Sequence, residues 1–161
     1  RIIYWDLYFA GGNGGVWYNC DTAWDAIVAP PIHQPKRSGM MYLRHFSFFW
    51  MHVLDTQDQN TLSPSDSAIS QSNASVKMHA LANNDTIAVH AHNGSMSIVI
   101  QTLPSDIVER GGKGVWFDPL TGETSNDVVW VKSGTLKPMT FVPPNSFAME
   151  DIALVVTANR T

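Results

Sequence analysis

Gly114-Val115-Trp116-Phe117-Asp118-Pro119-Leu120-Thr121-Gly122-Glu123 is the stretch on which the reading of the fold turns. Valine and the two aromatics suit a pleated, half-buried surface. Pro119 has no N–H to give to a ladder, and Gly122 tolerates the positive φ of a tight turn. The pattern therefore predicts a strand over 115–118, a turn, and a further strand over 128–132.

Outward from that stretch, the last half of the chain reads as strands. Residues 76–82 and 86–92 are separated by Asn83-Asn84-Asp85, a turn-forming cluster. Asn93-Gly94 follows, which predicts a hairpin between 86–92 and 95–101. Ile87, Val89 and Ala91 on one side of it match Met96, Ile98 and Ile100 on the other. Strands are also expected over 138–142 and, after the break at Pro143-Pro144, over 152–158. Short strands punctuated by turn signals predict an antiparallel β-sandwich over 76–161. Both Trp116 and Trp130 are expected to pack in its core. The preceding stretch, 63–75, is polar and nearly free of large apolar side chains, and reads as a linker.

Residues 1–62 have a different periodicity. Ile3, Leu7 and Ala10 share one helical face, with Tyr4 and Tyr8 beside them, and Gly11-Gly12 ends the pattern. Val16-Trp17-Tyr18 is a short strand candidate, and 19–35 is irregular. A second helix is predicted from Pro35 to Leu54, with Met40, Leu43, Phe46, Phe49, Trp50, Val53 and Leu54 at three- and four-residue steps. Two helices and one strand cannot close a core, because a parallel strand needs neighbours and helices on both faces. The chain also starts at Arg1 without an initiator Met, a signal peptide or a helix cap. The expectation is the C-terminal portion of a longer protein, α+β in class.

Composition narrows the partners. Ten Lys+Arg against 14 Asp+Glu, with a net charge of −4, leave no electrostatic footprint for nucleic acid. No apolar run approaches the roughly 20 residues of a membrane-spanning helix. Cys20 is the single cysteine, so no intrachain disulfide forms.

The run Arg-x-x-Tyr-Trp-x-x-x-Phe-Ala-Gly-Gly-Asn-Gly-Gly-Val-Trp-Tyr from Arg1, with Arg37-Ser38-Gly39-Met40-Met41-Tyr42-Leu43-Arg44-His45-Phe46, resembles the end of a (β/α)8 glycoside hydrolase barrel of the apiosidase-like group. The resemblance implies that residues 1–62 are the last helix–strand–helix of such a barrel. It puts Trp17, Tyr18 and the Asp21–Trp24 loop at the C-terminal end of the eighth strand, the face that carries active sites. The Val115–Glu123 motif, Phe141-Val142-Pro143-Pro144 and Asp151–Val156 resemble the C-terminal β domain of the same glycosidases, which has been labelled a collagen-binding domain of a collagenase. Leu120 and Ile152 stand where that pattern usually has Arg and Trp. The resemblance also implies a secreted, extracellular or periplasmic protein acting on a polysaccharide or oligosaccharide, with no cofactor.

Glycosidases generally use two carboxylates flanking the scissile bond. The resemblance puts both on strands upstream of Arg1, so no catalytic residue is expected in this chain. Asp21 and Asp25 read first as turn-forming loop carboxylates. Trp17, Tyr18 and Trp24, with Asp21, are the substrate-binding candidates, since an aromatic face packs on the apolar face of a sugar ring. His90 and His92 share a strand face but lack a third metal ligand at suitable spacing, so they read as surface or packing residues. A different class competes: a non-catalytic polysaccharide- or collagen-binding module. Exposed aromatics in a row on one sheet face would favour binding, and Trp116 or Trp130 buried against the second helix would favour a bracing role.

Overall fold

The computed structural model describes residues 5, 8, 9, 44–54, 61–70, 76–92, 97–125, 128–145, 147 and 151–160. Its strands are β1 (Ser63–Pro64), β2 (Ile69–Ser70), β3 (Lys77–Ala82), β4 (Thr86–His92), β5 (Ile98–Ile100), β6 (Gly112–Phe117), β7 (Val129–Val131), β8 (Met139–Phe141) and β9 (Asp151–Ala158). They form a six-stranded sheet in the order β1-β3-β4-β9-β6-β7 and a three-stranded sheet in the order β2-β5-β8. Every strand pair is antiparallel. The fold is β-rich, with few helices.

All seven strands expected from the alternation are present, within a few residues at each end. The turn between β3 and β4 forms as its composition predicts. Asn83 Oδ1 accepts from the backbone N–H of Asp85 at 3.1 Å and of Thr86 at 2.8 Å.

The hairpin expected across Asn93-Gly94 is corrected. β4 pairs with β3 and β9, whereas β5 pairs with β2 and β8 in the other sheet. The two apolar rows matched because both point into the same core from opposite layers. Ile87, Val89 and Ala91 of one sheet meet Ile98 and Ile100 of the other in one buried cluster. Period-two alternation fixes which side of a strand is buried and leaves its hydrogen-bonded neighbour open.

Part of the stretch expected to be a linker is also corrected. Ser63–Pro64 pairs with Leu81–Ala82, and Ile69–Ser70 with Val99–Ile100. Between them, Asp66 Oδ1 accepts the Ala80 N–H at 2.7 Å, and the Ser65 N–H donates to the Ala80 carbonyl at 2.8 Å. These backbone bonds need no apolar side chains, so a polar segment can make them.

The central strands β4 and β9 are buried along their whole length. One face, with Ile87, Val89, Ile152, Leu154, Val156 and Trp116, belongs to the core shared with the smaller sheet. The other carries smaller side chains, Ala88 and Ala153 among them, and lies beneath an aromatic layer. That layer is helical: residues 5, 8 and 9 are α-helical, and 44–48 run into a π-helical turn, Phe49–Val53. Trp5, Phe9, Phe46, Phe49, Val53 and Leu54 are its buried members. Over its described part the second helix buries the predicted face at Phe46, Phe49 and Val53, with Leu54 just beyond; residues 35–43, with Met40 and Leu43, lie outside the described residues. In the first, Trp5 and Phe9, one turn apart, carry the burial, and Ile3, Leu7 and Ala10 lie outside the described residues. Small residues under large rings allow a close approach, and each buried aliphatic or Phe side chain contributes about 1.5–3 kcal/mol relative to exposure.

Candidate functional site

Trp17, Tyr18, Asp21 and Trp24 all lie outside the described residues, as do Cys20 and Asp25. What the described residues bring together is the joint between the aromatic helical layer and the six-stranded sheet, with two open recesses at its margin.

The joint follows from strand register. His90 lies opposite His79 on one side and Ala153 on the other, and His92 lies opposite Asp151. His90 and Asp151 are thus diagonal neighbours across β4 and β9, within reach of long side chains. The His90 Nε2–H donates to Asp151 Oδ1 at 2.5 Å, and both side chains are wholly excluded from solvent. Trp5 stacks on the imidazole with ring centroids 5.0 Å apart and an interplanar angle of 25°. Phe9 lies 5.7 Å away on the same ring, and the His92 ring 6.0 Å away. A histidine–carboxylate pair can act in proton transfer only where a substrate reaches it. This one is sealed beneath aromatic rings, so its arrangement is that of a buried polar clasp. Among the described residues no group of three His, Cys, Asp or Glu is placed to hold a metal ion.

The turn that closes the opening motif is the second contact of the joint. Asp118 Oδ1 accepts from the N–H of Leu120 at 2.7 Å and of Thr121 at 3.3 Å, and the Gly122 N–H returns to the Asp118 carbonyl at 2.8 Å. Asp118 is 2% exposed and shapes the loop. The His45 Nδ1–H, from the helix, donates to the Pro119 carbonyl at 3.3 Å. Gly122 has φ +78°, and a Cβ there would fall 2.5 Å from His45 Cδ2. Glycine is required at this position both by conformation and by the ring lying over it.

The two tryptophans of the β region separate. Trp116 is buried in the core between the sheets, as expected, and its Nε1–H has no hydrogen-bond partner among the described residues. Trp130 is 68% exposed, contrary to the core position expected of it. It sits on β7, at the edge of the larger sheet, while its neighbour Val131 is buried in the core. Among the described residues neither indole makes a ring contact with the helical layer. Phe117, next to Trp116 and therefore on the opposite face, takes that place, with its ring centroid 5.2 Å from Phe49 and 6.0 Å from Trp5. The adjacent aromatics in Trp116-Phe117 are the signal that could have shown it: a strand bearing large rings on both faces is covered on both.

Two recesses open beside the joint, and Phe48 lines both. One, of about 330 Å3, is formed by Arg44, His45, Phe48, Thr121 and Gly122. The other, of about 280 Å3, lies against the sheet with His52, Lys113, Thr124 and Thr157 among its walls. Phe48 is 44% exposed.

No known family profile matches the chain. It is 25% identical over 144 residues to a tyrosine–tRNA ligase of Lactiplantibacillus plantarum, an alignment covering 87% of this chain and 34% of the ligase. A solved glycoside hydrolase superposes with a TM-score of 0.52 at 18% identity, covering 92% of this chain and 28% of that one. A Paenibacillus polymyxa xyloglucanase of GH family 44, solved with xyloglucan, superposes with a TM-score of 0.35 at 19% identity, covering 55% of this chain and 18% of that one. The chain thus spans about a third of the ligase and just over a quarter of the first hydrolase. Its fold is similar to part of a glycoside hydrolase.

Proposed function

We propose that this chain is the C-terminal region of a glycoside hydrolase, in which residues 1–62 complete a (β/α)8 barrel and the β region from Ser63 onward braces it. The carrying observation is the burial of one face of the larger sheet, at Leu81, Ala88, Phe117, Ala153 and Val155, beneath Trp5, Phe9, Phe46 and Phe49. A sheet used as a free binding module leaves such a face open. The fold likeness to a glycoside hydrolase over 92% of the chain supports the same reading. In it, Trp17, Tyr18 and Trp24 form an aromatic wall of the substrate cleft, Asp21 lies in the adjoining loop, and the two catalytic carboxylates belong to upstream strands. The substrate is a polysaccharide or oligosaccharide, the protein is extracellular or periplasmic, and neither nucleic acid nor membrane is a partner.

The tyrosine–tRNA ligase likeness does not alter this reading. A chain with net charge −4 and 10 Lys+Arg has few cations with which to hold tRNA. A flat row of aromatics on a sheet face, as a polysaccharide- or collagen-binding module would present, is also disfavoured: of the two tryptophans on the described strands, Trp130 is exposed and Trp116 is buried.

The test is kinetic and uses the full-length gene product. Trp17→Ala and Tyr18→Ala should raise KM or lower kcat on the cognate polysaccharide, while residues 1–161 alone turn over no substrate. Wild-type kinetics in both variants would remove the cleft assignment. Hydrolysis by the 161-residue chain, abolished by Asp21→Ala, would overturn the reading as a whole.

A further inference from the structure

We propose that the two recesses flanking Phe48 form a groove for an acidic oligosaccharide, a chain bearing uronic-acid carboxylates. Phe48 projects from the helix between them and lines both. At 44% exposure it offers an apolar ring with no aromatic neighbour covering it fully, the kind of surface on which the C–H face of a pyranose packs.

Among the described residues the charge around that ring has one sign: Arg44 lines one recess and Lys113 the other, and no described Asp or Glu lines either. Among the described residues neither cation makes an ion pair. In a chain of net charge −4 this local reversal selects an anionic ligand. The planar fork of Arg44 suits a carboxylate, and a hydrogen bond between ions is about twice as strong as a neutral one.

The remaining walls supply what a sugar needs. Thr121, Thr124 and Thr157 bring hydroxyls, and His45 and His52 bring imidazoles. Each recess is near the lower end of ligand-pocket size, which fits a short saccharide better than an extended polymer face. The His45–Pro119 bond fixes the Thr121–Gly122 wall against the helix, so the groove is preformed. Two cations are too few to hold a phosphate backbone at physiological salt. The inference does not require the hydrolase reading, because it rests only on residues 44–52, 113, 121–124 and 157.

The experiment is calorimetric titration of the 161-residue chain with a short oligogalacturonide and with its methyl-esterified, uncharged counterpart. The acid form should bind at least about tenfold more tightly than the ester, with affinity falling as salt rises. Arg44→Gln and Lys113→Gln should each weaken the acid form several-fold and leave the ester unchanged. Phe48→Ala should weaken both. Arg44 and Lys113 lie outside the core, so the two Gln variants keep the test valid if Phe48→Ala fails to fold. Absence of binding, equal binding of acid and ester, or undiminished binding by the double Gln variant would overturn the proposal. Displacement of the sugar by inorganic polyphosphate at equal concentration would do the same, by showing a general polyanion surface.

Discussion

His90 and Asp151, 61 positions apart in the chain, meet at 2.5 Å with neither side chain touching solvent. The pair ties β4 to β9 at the centre of the larger sheet. Trp5 stacks on the imidazole, so the pair also anchors the helical layer to that sheet. Removing one partner of such a buried pair takes away a hydrogen bond that water cannot replace there, whereas replacing both with apolar groups can be close to neutral. His90→Leu or Asp151→Leu alone should therefore cost about 1–3 kcal/mol in denaturant unfolding. The double variant should lose clearly less than the sum of the two. Additive losses would show that the two groups do not act as a pair.

The Gly122 turn offers a matched control within the same molecule. Gly122 and Gly134 have nearly identical φ, +78° and +76°, but a Cβ at 122 meets the His45 ring and one at 134 meets nothing within 4 Å. Gly134→Ala should cost only the conformational penalty, about 1–2 kcal/mol. Gly122→Ala should cost more, and His45→Ala should recover part of the excess in a double-mutant cycle. Equal costs at the two glycines would mean that the turn is not seated on the helix.

Much of this fold was legible in residue order, for identifiable reasons. The strand over 86–92 was bounded by turn residues and alternated cleanly, and β4 has the same limits. The helix ending near Leu54 was legible because Phe46, Phe49, Val53 and Leu54 recur at helical spacing. Sheet membership was not legible, because alternation is the same whichever layer a strand joins. The two-residue strands Ser63–Pro64 and Ile69–Ser70 are too short to carry any period. The helix Ser105–Arg110, held by an Arg110–Asp106 bond at 2.6 Å, spans fewer than two turns and was missed for the same reason. Sequence leaves His90 and His92 as surface or packing residues, and pairing in the sheet buries both. The Asp151 partner could not be read, because the diagonal contact exists only once β4 and β9 pair.

Phe117 should hold the helical layer more than it holds the sheet. Its ring contacts Trp5, Phe48 and Phe49, while Trp116 beside it serves the opposite core. Phe117→Ala should destabilise by about 3–5 kcal/mol, as large-to-small core changes do. In native-state hydrogen exchange the loss should concentrate in amides 44–54, with β4 and β9 retaining most of their protection. A uniform fall in protection would instead make the helical layer and the sheet a single cooperative unit.

Tyr8 gives the joint a dependence on alkaline pH whose sign follows from burial. Its ring lies 5.0 Å from Phe46 and 4.2 Å from Trp50, both edge-on, and desolvation raises the phenol pKa above its ordinary value. The folded protein therefore holds this proton more tightly than the unfolded chain does. The resulting stability is fully present below the unfolded pKa of about 10 and is lost as pH rises through the higher folded value. Unfolding followed at a series of pH values above about 9 should show a decline that is smaller in Tyr8→Phe, which keeps the ring and has no proton to lose. Neutral-pH stability should change little, since the ring contacts survive the substitution. An identical alkaline decline in the variant would assign it to other groups and leave Tyr8 with a packing role alone.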